Sequence, residues 1–388
     1  VYTLNSNNVH FKRDAIHRRF CHALPGKQTI QRFWFPTAVL LSKRIIYQLM
    51  DIRLSVRMKF FIAALIVLFT CMVIPGCIIQ PPLSKEPPSI QSSPVREGTI
   101  NVPGGKVWYR IVGADRPDIP LLVLHGGPGA CHDYLEPLEA LGDERPVIFY
   151  DQLGCGKSDH PDNNSLWTTK RFVEELEQVR TALAPGKVHI LGSSWGTMLT
   201  SEYMITKNPA GVVSLIMSGP CLSAKRWEAD QRQYLDELPD EENAVILACE
   251  QTGNFSSPEY QDAMMHYYHR YVCRLDPWPD CLIRTFENMG VVVYNQMWGP
   301  SEFTITGTLK NFDRSSDLQE IGVPVLFTCG RYDEATPETT AYYQSMIPGS
   351  ELIIFEDASH MHHIEKTDKY LTAVRDFMKR SEDGHMNG

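Results

Sequence analysis

Val188-His189-Ile190-Leu191-Gly192-Ser193-Ser194-Trp195-Gly196-Thr197 is the stretch on which the reading of this chain turns. Residues 188–191 read as a short buried strand, and 195–207 reads as a helix. Gly192 and Gly196 bracket Ser194 in the spacing G-x-S-x-G. A strand that turns sharply into a helix holds its central residue in a strained conformation, and small flanking residues let the chains pass closely. The helix N-terminus aims its first amides at the same point, where negative charge is favoured. Ser194 is therefore the candidate nucleophile. Ser193 is the competing hydroxyl, and the glycine spacing selects Ser194.

Outward from this turn, short apolar runs at 121–124, 147–150, 213–217, 323–328 and 352–355 alternate with helical patterns at 134–141, 168–183, 337–346 and 366–378. Residues 99–102 and 107–112 read as a hairpin closed by Gly104-Gly105. Buried strands alternating with helices predict a mostly parallel sheet flanked by helices. The alternation breaks between about 221 and 310, where helical, aromatic segments (226–238, 244–250, 260–273) take over. That is the place of a helical cap inserted over the C-terminal ends of the strands, where ligands bind in such sheets. The fold class expected is the α/β-hydrolase fold, with core 95–220 and 311–388 and cap 221–310.

His125-Gly126-Gly127-Pro128-Gly129 follows the run 121–124. The amides of Gly127 and Trp195 would form an oxyanion hole, in which one donor is worth about 3–4 kcal/mol of transition-state stabilisation. An ordinary glycine turn is the alternative, and His125 is expected to brace the loop. Acid and base should follow the nucleophile in the order Ser, acid, His. Asp333 lies just after 323–328, and His360 just after the last strand. His362 and His363 stand beside His360, which is nearest the strand end and is preferred. Asp357 is the reserve acid. An H-x-H metal site is the other reading of the cluster, without an acidic or Cys cluster to match. Two decoys are set aside. Gly154–Ser158 resembles the end of a phosphate loop, but Asp151 stands where that loop needs its first glycine. His266 and His269 are one helical turn apart among tyrosines, the pattern of a packed aromatic helix.

Hydrophobic residues make up 43% and charged residues 21% of the 388, a globular balance. Charge is unevenly spread. Residues 1–57 hold ten Lys/Arg and only Asp14 and Asp51; residues 78–388 hold 26 Lys/Arg against 44 Asp/Glu. A body this acidic argues against nucleic-acid binding, which needs a basic footprint. Met58-Lys59, the apolar run 60–74 and Pro75-Gly76-Cys77 read as a secretory signal ending in a lipobox-like sequence, with Cys77 lipidated. An uncleaved anchor over 60–79 and a cleaved soluble form are the alternatives. Each places the body outside the cytoplasm, facing the periplasm or cell exterior, with the lipid as its membrane partner. Residues 1–57 are expected to be upstream sequence or a mis-set start, and 78–94 a tether. Seven cysteines lie in the body, and Cys273 and Cys281 are near enough in sequence to pair.

Taken together, HGGPG at 125–129, DQLGCGKS at 151–158, GSSWGT at 192–197, GPSEFTITGT at 299–308 and Asp333-Glu334 resemble the proline iminopeptidase (prolyl aminopeptidase) family of α/β-hydrolases over about 95–380. The resemblance implies release of an N-terminal residue, often proline, from short peptides or amides, with Ser194, Asp333 and His360 as triad and no metal or organic cofactor. It also implies that Glu302 and Glu334 bind the substrate's free α-amine. An N-terminal amine has a pKa near 7.7–8.0, so it is mostly cationic at pH 7 and costly to bury unpaired. The structural alternative is that Glu302 caps a turn and Glu334 is solvated. Trp298 and Phe303 are candidates for the wall of the side-chain pocket, or else packing. Many members carry Arg where Leu153 stands, which bears on strict proline preference. An amino-acid amidase or esterase of the same fold is the second reading, and a non-catalytic lipid-anchored binding protein the third.

Overall fold

In the computed structural model of this protein, which describes residues 94–384, eight strands form one sheet. They are β1 (Val95–Val102), β2 (Gly105–Val112), β3 (Leu121–Leu124), β4 (Val147–Tyr150), β5 (Val188–Ser193), β6 (Val212–Ser218), β7 (Val325–Gly330) and β8 (Glu351–Phe355). Their order across the sheet is β1-β2-β4-β3-β5-β6-β7-β8. β2 runs antiparallel to both β1 and β4, and every other neighbouring pair is parallel. β3, β4, β5 and β7 are buried along their whole length. Strands covered on both faces read as unbroken apolar runs, which is why they were visible in the sequence.

Alternate strand residues feed two apolar layers. On one face, Leu122, Ile148, Ile190, Leu215 and Phe327 meet helices α1 (Thr169–Leu183) and α2 (Trp195–Lys207) through Phe172, Leu176, Met198 and Tyr203. On the other, Val123, Phe149, Ile216 and Leu326 meet residues 132–143 and the C-terminal helix through Leu138, Val374 and Phe377. Between β6 and β7 the chain leaves the sheet for five helices: α3 (Ala224–Asp236), α4 (Asp240–Thr252), α5 (Pro258–Tyr271), α6 (Asp280–Glu287) and α7 (Val291–Met297). Ser223 and Ser257 cap α3 and α5 by accepting the amides of Arg226 and Tyr260, satisfying donors that a helix start leaves open. After β7 come α8 (Pro337–Ser345), α9 (His362–Glu365) and α10 (Thr367–Glu382).

Several boundaries move for identifiable reasons. Residues 134–141, expected as an α-helix, lie in a 3-10 helix over His132–Asp143, where Pro137 removes a backbone donor. β7 starts at Val325 rather than 323, just beyond Pro324. β1 begins at Val95 rather than 99, because pairing with β2 runs through to Val112. α10 reaches Glu382, whose carboxylate receives Arg145 at 2.7 Å and His189 at 2.9 Å. α6 and α7 were not expected at all. Cys273 and Cys281 are free thiols, as are the other five described cysteines, so the suggested pair does not form. Residues 1–57, the signal-like stretch with Cys77 and all but the last residue of the tether lie outside the described residues. Among the described residues, no helix is long and apolar enough to cross a membrane.

Candidate active site

Ser194 sits at the junction of β5 and α2 with φ 55° and ψ −120°, a conformation that ordinary side chains avoid. Close approach explains the glycines around it. A Cβ on Gly192 would stand 2.5 Å from the carbonyl oxygen of Gly196, and one on Gly196 would stand 2.4 Å from that of Leu124. The Ser194 amide donates to the carbonyl of Ser218 at 2.9 Å, which ties the turn to β6.

The loop 125–129 faces this turn. Among the described residues the N–H of Gly127 has no acceptor, so it is free to bind an oxyanion beside the first amide of α2. Gln152 holds the loop in place. His125 Nε2 accepts the Gln152 backbone N–H at 2.9 Å, so His125 braces the loop as expected. Gln152 Nε2 donates to the His125 carbonyl at 3.0 Å, and its Oε1 accepts the Trp195 indole N–H at 2.9 Å. One amide thus joins both sides of the candidate oxyanion hole. Buried Asp151 accepts the backbone N–H of His132 at 2.8 Å and of Lys157 at 2.9 Å. Leu153 is fully buried, and its N–H faces the Glu175 carboxylate, which pairs with Arg171. The motif at 151–158 is therefore a brace and not a phosphate loop.

Asp333 and His360 converge from the loops after β7 and β8. His360 Nδ1 lies 2.7 Å from Asp333 Oδ1. Asp333 also accepts the backbone N–H of Ala335 at 2.8 Å and of Gly330 at 3.1 Å. Burial acts to raise its pKa, but His360 and His362 outweigh that and hold it well below the usual carboxylate range. Burial likewise acts to lower His360, and Asp333 overrides it, so the imidazole pKa ends raised. Of the neighbouring histidines, His362 also approaches Asp333, with Nδ1 3.4 Å from Oδ2, but its other nitrogen and His363 are engaged away from the site. His362 Nε2 lies 3.0 Å from the hydroxyls of both Ser218 and Thr328, and His363 Nε2 lies 3.1 Å from the carbonyl of Tyr134. Asp357 is exposed. His266 pairs with Glu242 at 2.8 Å and His269 packs on Trp278, both histidines exposed, while Tyr260, Tyr267, Tyr268 and Tyr271 of the same helix are buried, as in a packed aromatic helix.

Ser194, His360, Glu302 and Glu334 line one small cavity with no Lys or Arg in its wall. Glu302 is presented by a tight turn at 299–304, in which its carbonyl accepts the Trp227 indole N–H at 2.8 Å and its Oε1 accepts the Tyr294 hydroxyl at 2.8 Å. Glu334 is buried, with Oε1 3.6 Å from His360 Nε2 and Oε2 without a partner among the described residues. Burial, then Glu302 and Asp333, push the Glu334 pKa well up; burial also raises Glu302, against the Tyr294 hydrogen bond and His360. Neither carboxylate is solvated as the structural alternative required of Glu334. Of the two readings of Trp298 and Phe303, pocket wall or packing, the structure shows packing. Trp298 packs edge-on against Trp227, and Phe303 against Tyr260 and Tyr267, so neither faces the cavity. Val272, Leu282, Phe286, Met289 and Met361 line it instead, with Tyr134 and Thr285. The short helix α6, only eight residues long, supplies three of these.

Residues 119–367 match the α/β-hydrolase fold family. A proline iminopeptidase of Heyndrickxia coagulans is 48% identical over 285 residues, covering 73% of this chain and 98% of the relative. This chain belongs to the proline iminopeptidase family of α/β-hydrolases. A family member from Saccharolobus solfataricus is 39% identical over 287 residues, covering 73% of this chain and 92% of the relative. The crystal structure of the Mycobacterium smegmatis proline iminopeptidase superposes with a TM-score of 0.70 at 33% identity, over 75% of this chain and all of that one. Esterases of about half that identity share the fold alone.

Proposed function

We propose that this chain is a serine aminopeptidase that releases an N-terminal residue, proline above all, from short peptides or amides. The observation that carries the reading is the cavity itself: two carboxylates, one with an unpartnered buried oxygen, share it with Ser194 and His360 and with no cation. Such a pocket favours one positive charge close to the nucleophile. A substrate's α-ammonium supplies it, and the distance from amine to scissile carbonyl then selects the first peptide bond. His360 takes the proton of Ser194 as the oxygen attacks that carbonyl. Asp333 fixes the imidazole tautomer and stabilises the imidazolium. The amides of Gly127 and Trp195 hold the oxyanion. His360 next protonates the leaving amine, and water hydrolyses the acyl-enzyme. The apolar wall from Val272, Leu282, Phe286 and Met289 suits an aliphatic ring beside the amine.

The test is the Ser194→Ala variant with prolyl-arylamide and a fluorophosphonate probe. The expected outcome is a folded protein with neither turnover nor labelling; turnover near the wild-type level would overturn the assignment. We also infer from the sequence around Cys77 that the body is exported and lipid-anchored. Incorporation of an alkyne fatty acid into the wild type and not into Cys77→Ser supports that reading, and equal incorporation, or none, removes it.

A further inference from the structure

Glu365 closes α9, five residues beyond His360, and has no part in the chemistry above. Its carboxylate gathers three donors at the root of the histidine loop. Oε2 accepts the backbone N–H of Ser359 at 2.7 Å. Oε1 accepts the Ser359 hydroxyl at 2.7 Å and the backbone N–H of Arg274 at 2.7 Å. Ser359 immediately precedes His360, while Arg274 belongs to the insertion, just past the end of α5. Two backbone bonds run alongside. The His360 N–H donates to the carbonyl of Tyr271 at 3.0 Å, and the Met361 N–H to that of Val272 at 2.9 Å. The loop bearing His360 is thus stitched to the insertion on both sides of the imidazole, and Glu365 is the ionisable clasp of the stitch.

We propose that Glu365 is a positioning residue that fixes the His360 loop against the insertion and so sets where the imidazole stands between Asp333 and Ser194. The proposal rests on His360 being the base. A loop beyond the last strand has no sheet partner to hold it, and hydrogen bonds to an ionised acceptor are roughly twice as strong as neutral ones. The same carboxylate acts on the charge of His360. The groups facing the imidazole are Asp333 and Glu334 from the β7 loop, Glu302 from the insertion, and His362 and His363 from its own segment. Asp333, Glu302 and Glu365 work together against burial to keep it readily protonated. Around Glu365 itself stand the Cys273 thiol and the next residue, Lys366, while the Arg274 guanidinium lies over Tyr332 at 4.2 Å.

The experiment compares the wild-type chain with Glu365→Gln, Glu365→Asp and Glu365→Ala. It records kcat and KM for a prolyl-arylamide against pH, together with the rate of fluorophosphonate labelling. Misplacing a catalytic group by an ångström costs about 100-fold. On that scale Glu365→Gln should lower kcat about 10-fold with KM little changed, and Glu365→Ala about 100-fold. A base must be neutral to act, so removing a negative charge from its surroundings moves the acid limb of Glu365→Gln to lower pH. Glu365→Asp should recover part of kcat. Labelling should slow in parallel, since the probe needs His360 but no amine pocket. A Glu365→Gln enzyme with wild-type kcat and an unmoved acid limb would overturn the proposal, as would a loss confined to melting temperature. Persistent activity in Ser194→Ala would instead overturn the nucleophile assignment, so the two failures are separable.

Discussion

At Asp333, geometry and charge point the same way. Its carboxylate is fully buried, receives two backbone amides and faces His360 at 2.7 Å. Asp333→Asn keeps the shape but offers the imidazole the wrong partner, and a drop of about 10⁴ in kcat is expected. The pH profile adds a signed prediction. Despite the lowering effect of burial, Asp333 leaves the His360 pKa raised. Activity needs the neutral imidazole, so the acid limb of kcat should lie above the ordinary histidine value near 6.5, with activity lost as pH falls through it. The residual activity of Asp333→Asn should show that limb at lower pH. Glu334 carries the opposite balance. Its buried carboxylate has an unpartnered oxygen and gains nothing from folding. Glu334→Gln should therefore leave the melting temperature unchanged or higher, while kcat/KM for a free-amine substrate falls by about 2–5 kcal/mol in free-energy terms. A variant that unfolds, or that keeps full kcat/KM, would contradict this.

Among elements, the junction of three loops matters most. Gly290, at the entry to α7, donates its N–H to the carbonyl of Gly129 at 2.7 Å, and a Cβ on it would lie 2.1 Å from the carbonyl oxygen of Gly154. The loops at 125–129 and 151–158 and the insertion therefore touch backbone to backbone. Gly290→Ala should force them apart, lowering thermal stability and kcat together; a variant indistinguishable from wild type by melting and turnover would show that the junction yields freely. This junction was not legible in the sequence, since Gly290 belongs to no motif there and acts through chain neighbours about 130 to 160 positions away. The strand–turn–helix around Ser194 was legible because its signal is local: fixed glycine spacing between an apolar run and a helical one. The order of triad residues was legible because each follows a strand. The apolar wall was not. Trp298 and Phe303 stand beside Glu302 in sequence, but both rings pack into the core, and residues of α6, with no motif to mark them, took the cavity. Core packing on the other face is tested by Phe172→Ala. The ring is fully buried between Trp167 and Trp195, and a loss of about 3–5 kcal/mol of stability is expected by denaturant titration.

For the molecule as a whole, the insertion and the sheet meet at the site. The insertion brings Glu302 and the apolar wall; the strand ends bring Ser194, Asp333, Glu334 and His360. Seven free thiols lie in the described residues, six of them buried. Titration of denatured, unreduced protein spanning 78–388 should find all seven, and five would mean a bridge. Specificity is where the whole arrangement is most exposed to test. A site built to hold a charged group rejects analogues lacking it by about 10⁴–10⁵ where the partner groups would be left buried and unpaired. The decisive measurement is the ratio of kcat/KM for prolyl-arylamide to that for its N-acetylated counterpart, with Ser194→Ala as the blank. The expected result is a ratio of at least about 10³, on the conservative side of that range, with no turnover by the blank. Equal cleavage of the acetylated substrate would contradict an active site organised around the substrate's free amine.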